Sequence, residues 1–322
     1  MPAPYLAQLL VRVATGLERL SDSRRARHGD FLRAQQLPDG GFPGRQGGSD
    51  LYYTSFALRG LVVLGALDED TAGHAATFLR QRMQRHAPLI DLVSLVFSAQ
   101  ILETSTGIDL FSGSDSAWPS TLTAMLGQLQ CADGGFARTA EGKVGSTYQT
   151  FLTALIHQQL GKPLPQPQRV ADFVRCQQRD DGGFVEIRVM RRSGTNPTAA
   201  AVGALQVIAA WLDQTESPSQ STAPIVSYLS SMQIGTGGFR ANTRIPMADL
   251  LSTCTGLQAL SDLGHLHKAD MARAQDYIVS LEQPAGGWHA AEWDDTIDVE
   301  YTFYGLAALG LVLGPWEGVA AD

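Results

Sequence analysis

The chain has 322 residues, a net charge of −8, 44% hydrophobic residues and only 17% charged ones. That composition supplies a large core, and the acidic balance argues against nucleic acid or an anionic membrane as the main partner. Three cysteines without metal-ribbon spacing, Cys131, Cys176 and Cys254, read as reduced thiols of a cytoplasmic protein.

The first 20 residues are helical in pattern, with Leu6, Leu9, Leu10 and Val13 on one face. They lack the long apolar run and cleavage site of a signal peptide or membrane span. The expectation is that they form the first outer helix.

From there one signature recurs: Gly40-Gly41-Phe42, Gly134-Gly135-Phe136, Gly182-Gly183-Phe184, Gly237-Gly238-Phe239 and Gly286-Gly287-Trp288. The spacing is about 50 residues, which marks a repeat architecture. The first interval is close to double, so a sixth unit without glycines is expected near residue 89.

Residues 50–61, 147–155, 198–210, 250–260 and 301–312 follow the signatures and carry almost no charge, the pattern of helices buried all round. Residues 70–85, 170–178 and 269–281 precede signatures and mix apolar with charged positions, as half-exposed helices do. Residues 105–118 read as a polar Gly/Ser-rich loop between repeats. Each unit is therefore an outer helix, a tight turn and an inner helix. Six such units predict an all-α fold, an (α/α)6 barrel forming a single domain over residues 1–322.

Leu281-Glu-Gln-Pro-Ala-Gly-Gly-Trp288, the run from Arg175 to Phe184, and Asp50-Leu-Tyr-Tyr-Thr54 resemble the repeats shared by two groups of enzymes. These are the protein prenyltransferase β subunits and the squalene–hopene and class II terpene cyclases. The resemblance spans about residues 30 to 315 and implies the toroid fold and an isoprenoid small-molecule substrate.

The prenyltransferase branch implies zinc held by Asp, Cys and His. Asp249 stands at the first position, but Leu251 and Tyr301 occupy the other two, and Cys254 lies off that helical face. No metal and no cofactor are therefore expected. The cyclase branch implies a buried, protonated Asp. There is no Asp-x-Asp-Asp motif here. Asp91 heads the second inner helix, in the unit that lost its glycines, and is the expected catalytic acid; Asp298 and Glu300 stand in reserve. The alternative role for Asp91 is a helix cap, since Asp50, Asp249 and Asp298 begin inner helices in the same manner.

Between Leu89-Ile90 and Leu92-Val93, burial would keep the Asp91 carboxyl neutral, ready as a general acid. Aromatic faces would stabilise the cation it generates. The candidates are Tyr53, Phe97, Tyr148, Phe151, Tyr301 and Tyr304, with Tyr52, Phe56 and Phe303 beside them and Trp288 in the last signature. Arg191, Arg192, Arg240 and Arg244 lie in turns leading to inner helices and form a candidate anion site for a substrate head group. His86, His157 and His289 are isolated and read as core or surface residues.

The resulting expectation is a class II-like cyclase of a long polyprenyl substrate, a meroterpenoid or prenyl diphosphate. The alternatives are a zinc-dependent protein prenyltransferase β-like subunit and a non-catalytic isoprenoid-binding module. No nucleic acid partner is expected. Peripheral membrane contact is compatible with greasy substrates, and nothing in the sequence fixes an oligomeric state.

Overall fold

The computed structural model describes residues 3–83, 89–112, 118–212 and 221–315. His86, Ala87 and Pro88, and residues 113–117 of the inter-repeat loop, lie outside them. Thirteen α-helices are present among the described residues. In chain order they are α1 (Tyr5–Leu17), α2 (Asp22–Ala34), α3 (Leu51–Val63), α4 (Glu69–Arg82), α5 (Leu89–Thr106), α6 (Trp118–Gly127) and α7 (Thr147–Gln159). Then follow α8 (Pro167–Cys176), α9 (Thr195–Ile208), α10 (Ala223–Met232), α11 (Leu250–Asp262), α12 (Met271–Ser280) and α13 (Val299–Leu313).

The inner helices α3, α5, α7, α9, α11 and α13 each pack on the next, and α13 returns to α3, closing the ring. The outer helices are α2, α4, α6, α8, α10 and α12. The expected six hairpins are all present, including the pair α4–α5 that lacks the glycines.

The third signature shows why the glycines are there. Gly182 has φ +87°, and a Cβ on it would lie 2.2 Å from the Pro224 carbonyl of α10. A Cβ on Gly183 would lie 2.7 Å from the Tyr228 ring of that helix. The same contact recurs around the ring: Phe78 on Gly41, Phe173 on Gly135, Tyr277 on Gly238 and Phe31 on Gly287. Each turn therefore docks under an aromatic residue of the following outer helix. The signature aromatic points the other way, into the layer between inner and outer helices, where Phe42, Phe136, Phe184, Phe239 and Trp288 are fully buried. In four units its backbone N–H donates to a threonine of the inner helix: Thr54, Thr150, Thr198 or Thr253. A Thr in the first turn of the inner helix thus ties signature to helix.

The N-terminal segment is not the first outer helix; α2 is. Helix α1 packs against α13 and α3, and its buried face is the predicted one, Leu6, Leu9, Leu10 and Val13, joined by Tyr5. Gly16 meets Gly310 of α13 so closely that a Cβ would fall 1.8 Å from the Gly310 carbonyl oxygen. The Tyr5 hydroxyl donates to Asp262 Oδ2 at 2.6 Å and accepts from Gln258 Nε2 at 2.6 Å, both on α11. Its backbone N–H donates to Gln158 Oε1 of α7 at 2.8 Å. These partners sit in the C-terminal halves of inner helices, so α1 closes that end of the barrel. An amphipathic pattern alone does not distinguish a helix lying on a ring from one plugging it.

Candidate active site

Each inner helix follows an outer helix, through a signature turn in five of the six units, so all six start at the same rim. The rim is stapled from unit to unit. Thr147 Oγ1, heading α7, donates to the Val185 carbonyl at 2.7 Å, and Thr195 Oγ1, heading α9, donates to the Arg240 carbonyl at 2.6 Å. The first and last units join through Arg45, whose guanidinium pairs with Asp298 at 2.7 Å and Asp294 at 2.6 Å.

Inside the rim, above α1, lies a cavity of about 130 Å³. Its walls include Tyr52, Phe56 and Arg59 of α3, Ile90, Val93 and Ser94 of α5, Tyr148 and Phe151 of α7, Cys254 and Gln258 of α11, and Phe303 and Tyr304 of α13. Tyr5, Leu6 and Leu9 of α1 form the floor. The space equals about four water molecules at ~30 Å³ each, well below the ~300–1,000 Å³ of ordinary small-molecule sites.

The expected substrate-binding aromatics divide. Tyr148, Phe151 and Tyr304 line the cavity, with Tyr52, Phe56 and Phe303. Phe97 is buried, its ring stacked under the Arg59 guanidinium at 4.7 Å. Tyr53 and Tyr301 are partly buried outside the lining; Tyr53 packs against Gly44, and Tyr301 lies under Arg45 at 5.0 Å. Trp288 does not face the cavity. It stacks on His28 at 4.2 Å, donates from Nε1 to the Ile278 carbonyl at 3.0 Å, and presses on Gly305. As a signature aromatic it fills the interlayer core, as the four phenylalanines do.

The anion site expected from arginines is not assembled. Arg191, Arg192 and Arg244 are exposed on rim loops, and Arg240 turns outward, its Nη2 3.4 Å from the Ser231 carbonyl of α10. Turn residues share a rim, but their side chains follow the local loop. His157 is buried, and His289 is partly buried in a short hairpin, as isolated core and surface residues should be.

The four aspartates heading inner helices are not alike. Asp50, Asp249 and Asp298 cap α3, α11 and α13, accepting from the backbone N–H groups of Tyr52, Ser252 and Tyr301. Asp298 is further committed to Arg45. Asp91 is the third residue of α5, partly buried, and among the described residues its side chain makes no hydrogen bond. Burial, and then the neighbouring Asp50 charge, push its pKa upward. Its neighbours Ile90, Val93 and Ser94 line the cavity, whereas Asp91 itself is not among the lining residues and stands in the first turn of α5, at the barrel rim.

Glu300, in the first turn of α13, accepts from Tyr52 at 2.6 Å and from Tyr304 at 3.3 Å on the same oxygen. Burial raises its pKa, whereas the tyrosine bonds favour the carboxylate and oppose that rise.

The residues present do not fit zinc. Asp249 is a cap whose second oxygen accepts from Ser252 Oγ, Leu251 has no donor atom, and Tyr301 lies beneath a guanidinium that would repel a dication. Burial pushes the Cys254 thiol up to about 12, far from the thiolate a metal requires. No group of three or more metal-ligating side chains occurs among the described residues.

Arg59 is the residue that sequence reasoning missed. Its signal was present: it is the one charge within the otherwise uncharged run 50–61 after Asp50. Its guanidinium lies over the rings of Phe56 at 4.6 Å, Phe97 at 4.7 Å and Phe303 at 5.8 Å.

Residues 6–312 match the family described as the prenyltransferase alpha-alpha toroid domain. A search of curated proteins gives no significant match. Among solved structures, the chain is similar to Candida albicans protein geranylgeranyltransferase-I complexed with GGPP, at 14% identity and TM-score 0.70, covering 91% of this chain and 96% of that one. It is also similar to the type II terpene cyclase MstE from Scytonema, in a variant complexed with geranylgeranyl dihydroxybenzoate, at 16% identity and TM-score 0.60, covering 95% and 98%. The Lin0763 protein of Listeria innocua aligns at 11% identity and TM-score 0.60, covering 90% and 96%. At these identities the likeness is one of fold, shared by transferases and cyclases alike. The chain belongs to the prenyltransferase alpha-alpha toroid domain family.

Proposed function

We propose that the protein cyclises an isoprenoid by protonation, with Asp91 as the acid. The observation that carries this reading is the contrast among the inner-helix aspartates: three are spent on caps, and Asp91 is not. A carboxyl with no hydrogen-bond donor beside it, raised by burial and a like charge, is suited to giving up a proton. The step moves the Asp91 proton to the less substituted carbon of the terminal double bond, leaving a tertiary cation on the other. The electrons of a second double bond then close the ring, and loss of a proton ends the sequence. The cation would form at the rim side of the cavity, near the faces of Tyr52, Tyr148 and Tyr304.

The experiment is product analysis with geranyl- to geranylgeranyl-length substrates. Asp91→Asn should abolish cyclisation, whereas Glu300→Gln, which keeps a tyrosine acceptor, should retain part of it. Wild-type cyclisation in Asp91→Asn would refute the assignment. Activity should fall as pH rises through the elevated Asp91 pKa, because only the protonated form acts. The competing reading is a non-catalytic isoprenoid-binding module; binding of these compounds without turnover would establish it.

The rim loops support peripheral membrane contact. Val144, Val189, Met190, Ile245, Met247 and Trp293 are exposed there, among exposed Lys143, Arg188, Arg191, Arg192 and Arg244. An apolar and basic collar around the mouth suits an anionic bilayer surface, even in an acidic protein. Sedimentation with phosphatidylglycerol vesicles tests it: Met190→Asp with Met247→Asp should release the protein. The described helix long and apolar enough to cross a membrane, α5, is an inner helix of the ring, packed between α3 and α7.

A further inference from the structure

Arg59 carries a permanent charge in the middle of the barrel, and the carboxylate whose charge reaches it, Glu300, makes no hydrogen bond or ion pair with it. Its hydrogen bond is to a neutral hydroxyl, Nη2 to Ser55 Oγ at 3.1 Å. Its Nε is buried without a partner. No carboxylate among the described residues forms an ion pair with it; Glu300 has its bonded oxygen committed to Tyr52 and Tyr304. Three phenylalanine rings lie against the guanidinium, and each stabilises a cation by about 0.5–2 kcal/mol. Rings accept no in-plane N–H bonds, so most of the five guanidinium donors still lack acceptors. A buried charge left in this condition is costly unless something pairs with it. The accessible part of the guanidinium opens on the cavity, which it helps to line.

We propose that Arg59 is the anchor for the carboxylate of an amphiphilic ligand. The ligand class follows from charge and shape. One guanidinium balances one negative charge. A diphosphate would bring two or more into a compartment with no second free cation among its lining residues, and would be poorly neutralised. A carboxylate also matches the planar fork of Arg in a bidentate pair. Beside it the walls are aromatic and aliphatic, so the ligand body is apolar.

Depth then fixes the orientation. The Arg59 guanidinium reaches back one turn of α3 to Ser55 and Phe56, so the charge lies about 5 Å below Tyr52 along the helix. The carboxylate therefore points toward the α1 floor and the apolar end toward the rim, where Asp91 stands. This reverses the orientation expected from the sequence, which put the head group at the arginine-rich loops and the protonated end far from them. The loops and Asp91 share the same rim. A bound carboxylate would neutralise the Arg59 charge, which otherwise would oppose a cation formed beside Tyr52, Tyr148 and Tyr304 in the same cavity. The inference shares its cavity with the cyclase reading but does not depend on turnover.

The test is calorimetric binding of geranic acid, geraniol and geranyl diphosphate, three compounds with one tail and different heads. Wild-type protein should bind the acid about tenfold or more tighter than the alcohol, as a charge-assisted pair requires. Arg59→Met should erase that preference by weakening the acid far more than geraniol, and Arg59→Lys should restore part of it. Equal affinity of wild-type protein for acid and alcohol would overturn the proposal, as would a preference surviving in Arg59→Met. Tighter binding of geranyl diphosphate than of geranic acid would overturn the carboxylate assignment. Should Arg59→Met fail to fold, thermal shifts of wild-type protein decide alone: geranic acid must raise Tm more than geraniol at equal concentration. Anchored binding without cyclisation would sink the cyclase and leave Arg59 as the anchor.

Discussion

The Arg45 Nε lies 2.7 Å from Oδ2 of Asp298, and this pair joins the first turn of the chain to the head of its last inner helix. Elsewhere on the rim, neighbouring units are joined by backbone and threonine bonds. At the seam, where the two units are far apart in sequence, an ion pair does the same work. Asp298 is nearly fully buried, so losing its partner leaves a desolvated carboxylate. Arg45→Met should cost about 1–3 kcal/mol of unfolding free energy, read from urea melts. An unchanged midpoint would show the seam closes without it.

The outer ring closes through His28. Its Nδ1 accepts from the Gly287 N–H at 3.1 Å, and its Nε2 lies 3.0 Å from Glu282. Burial lowers the His28 pKa. Burial pushes Glu282 up, but bonds from His28 and Arg24 outweigh it and hold the carboxyl down at about 2. Both groups bind fewer protons folded than unfolded. Stability should therefore be full above about pH 6.5 and fall as His28 is forced to protonate, then fall further from about pH 4.5 toward 2. Urea midpoints across pH check the profile, and His28→Asn should remove its upper step.

Gly182→Ala places a side chain at φ +87° and 2.2 Å from a carbonyl carrying its own neighbours. The loss should be about 2 kcal/mol or more. Gly47→Ala is the control. It shares a positive φ of 92° but has open space around it, so its cost should be the smaller backbone term alone.

The floor can be tested without any ligand. Gly16→Ala forces α1 away from Gly310, an overpacking cost of about 1–3 kcal/mol. Unseating α1 should open the cavity to solvent and make Cys254, which lines it, accessible to alkylation. Mass mapping of Cys254 in native protein reads the result. A thiol that stays protected would mean α1 is not the barrier.

The repeat was legible because its parts obey local rules. Paired glycines, a following aromatic and a Thr in the inner helix are close in sequence, and the same close contact recurs in every unit that keeps them. Asp91 stood out in the sequence as the head of the one unit that departs from the pattern; that its side chain makes no hydrogen bond among the described residues came only from the structure. Trp288 was misassigned because an aromatic beside an inner helix faces either the cavity or the interlayer core, and spacing does not choose between them. The net charge of −8 likewise concealed a basic collar, since a sum over the chain has no position.

The sequence by itself determined the architecture: alternating amphipathic and uncharged helices at a fixed period must close on themselves to bury the uncharged ones. The resemblance also implied an incomplete zinc set, with Leu251 and Tyr301 at two of its three positions. Only the tertiary structure decided what lies inside the ring. Which aspartate is a cap, which helix is the floor and where Arg59 points depend on side chains brought together from units over 200 residues apart, such as Tyr5 and Asp262 or Tyr52 and Glu300. Local pattern builds the wall, and long-range packing selects the few groups that face the space within it.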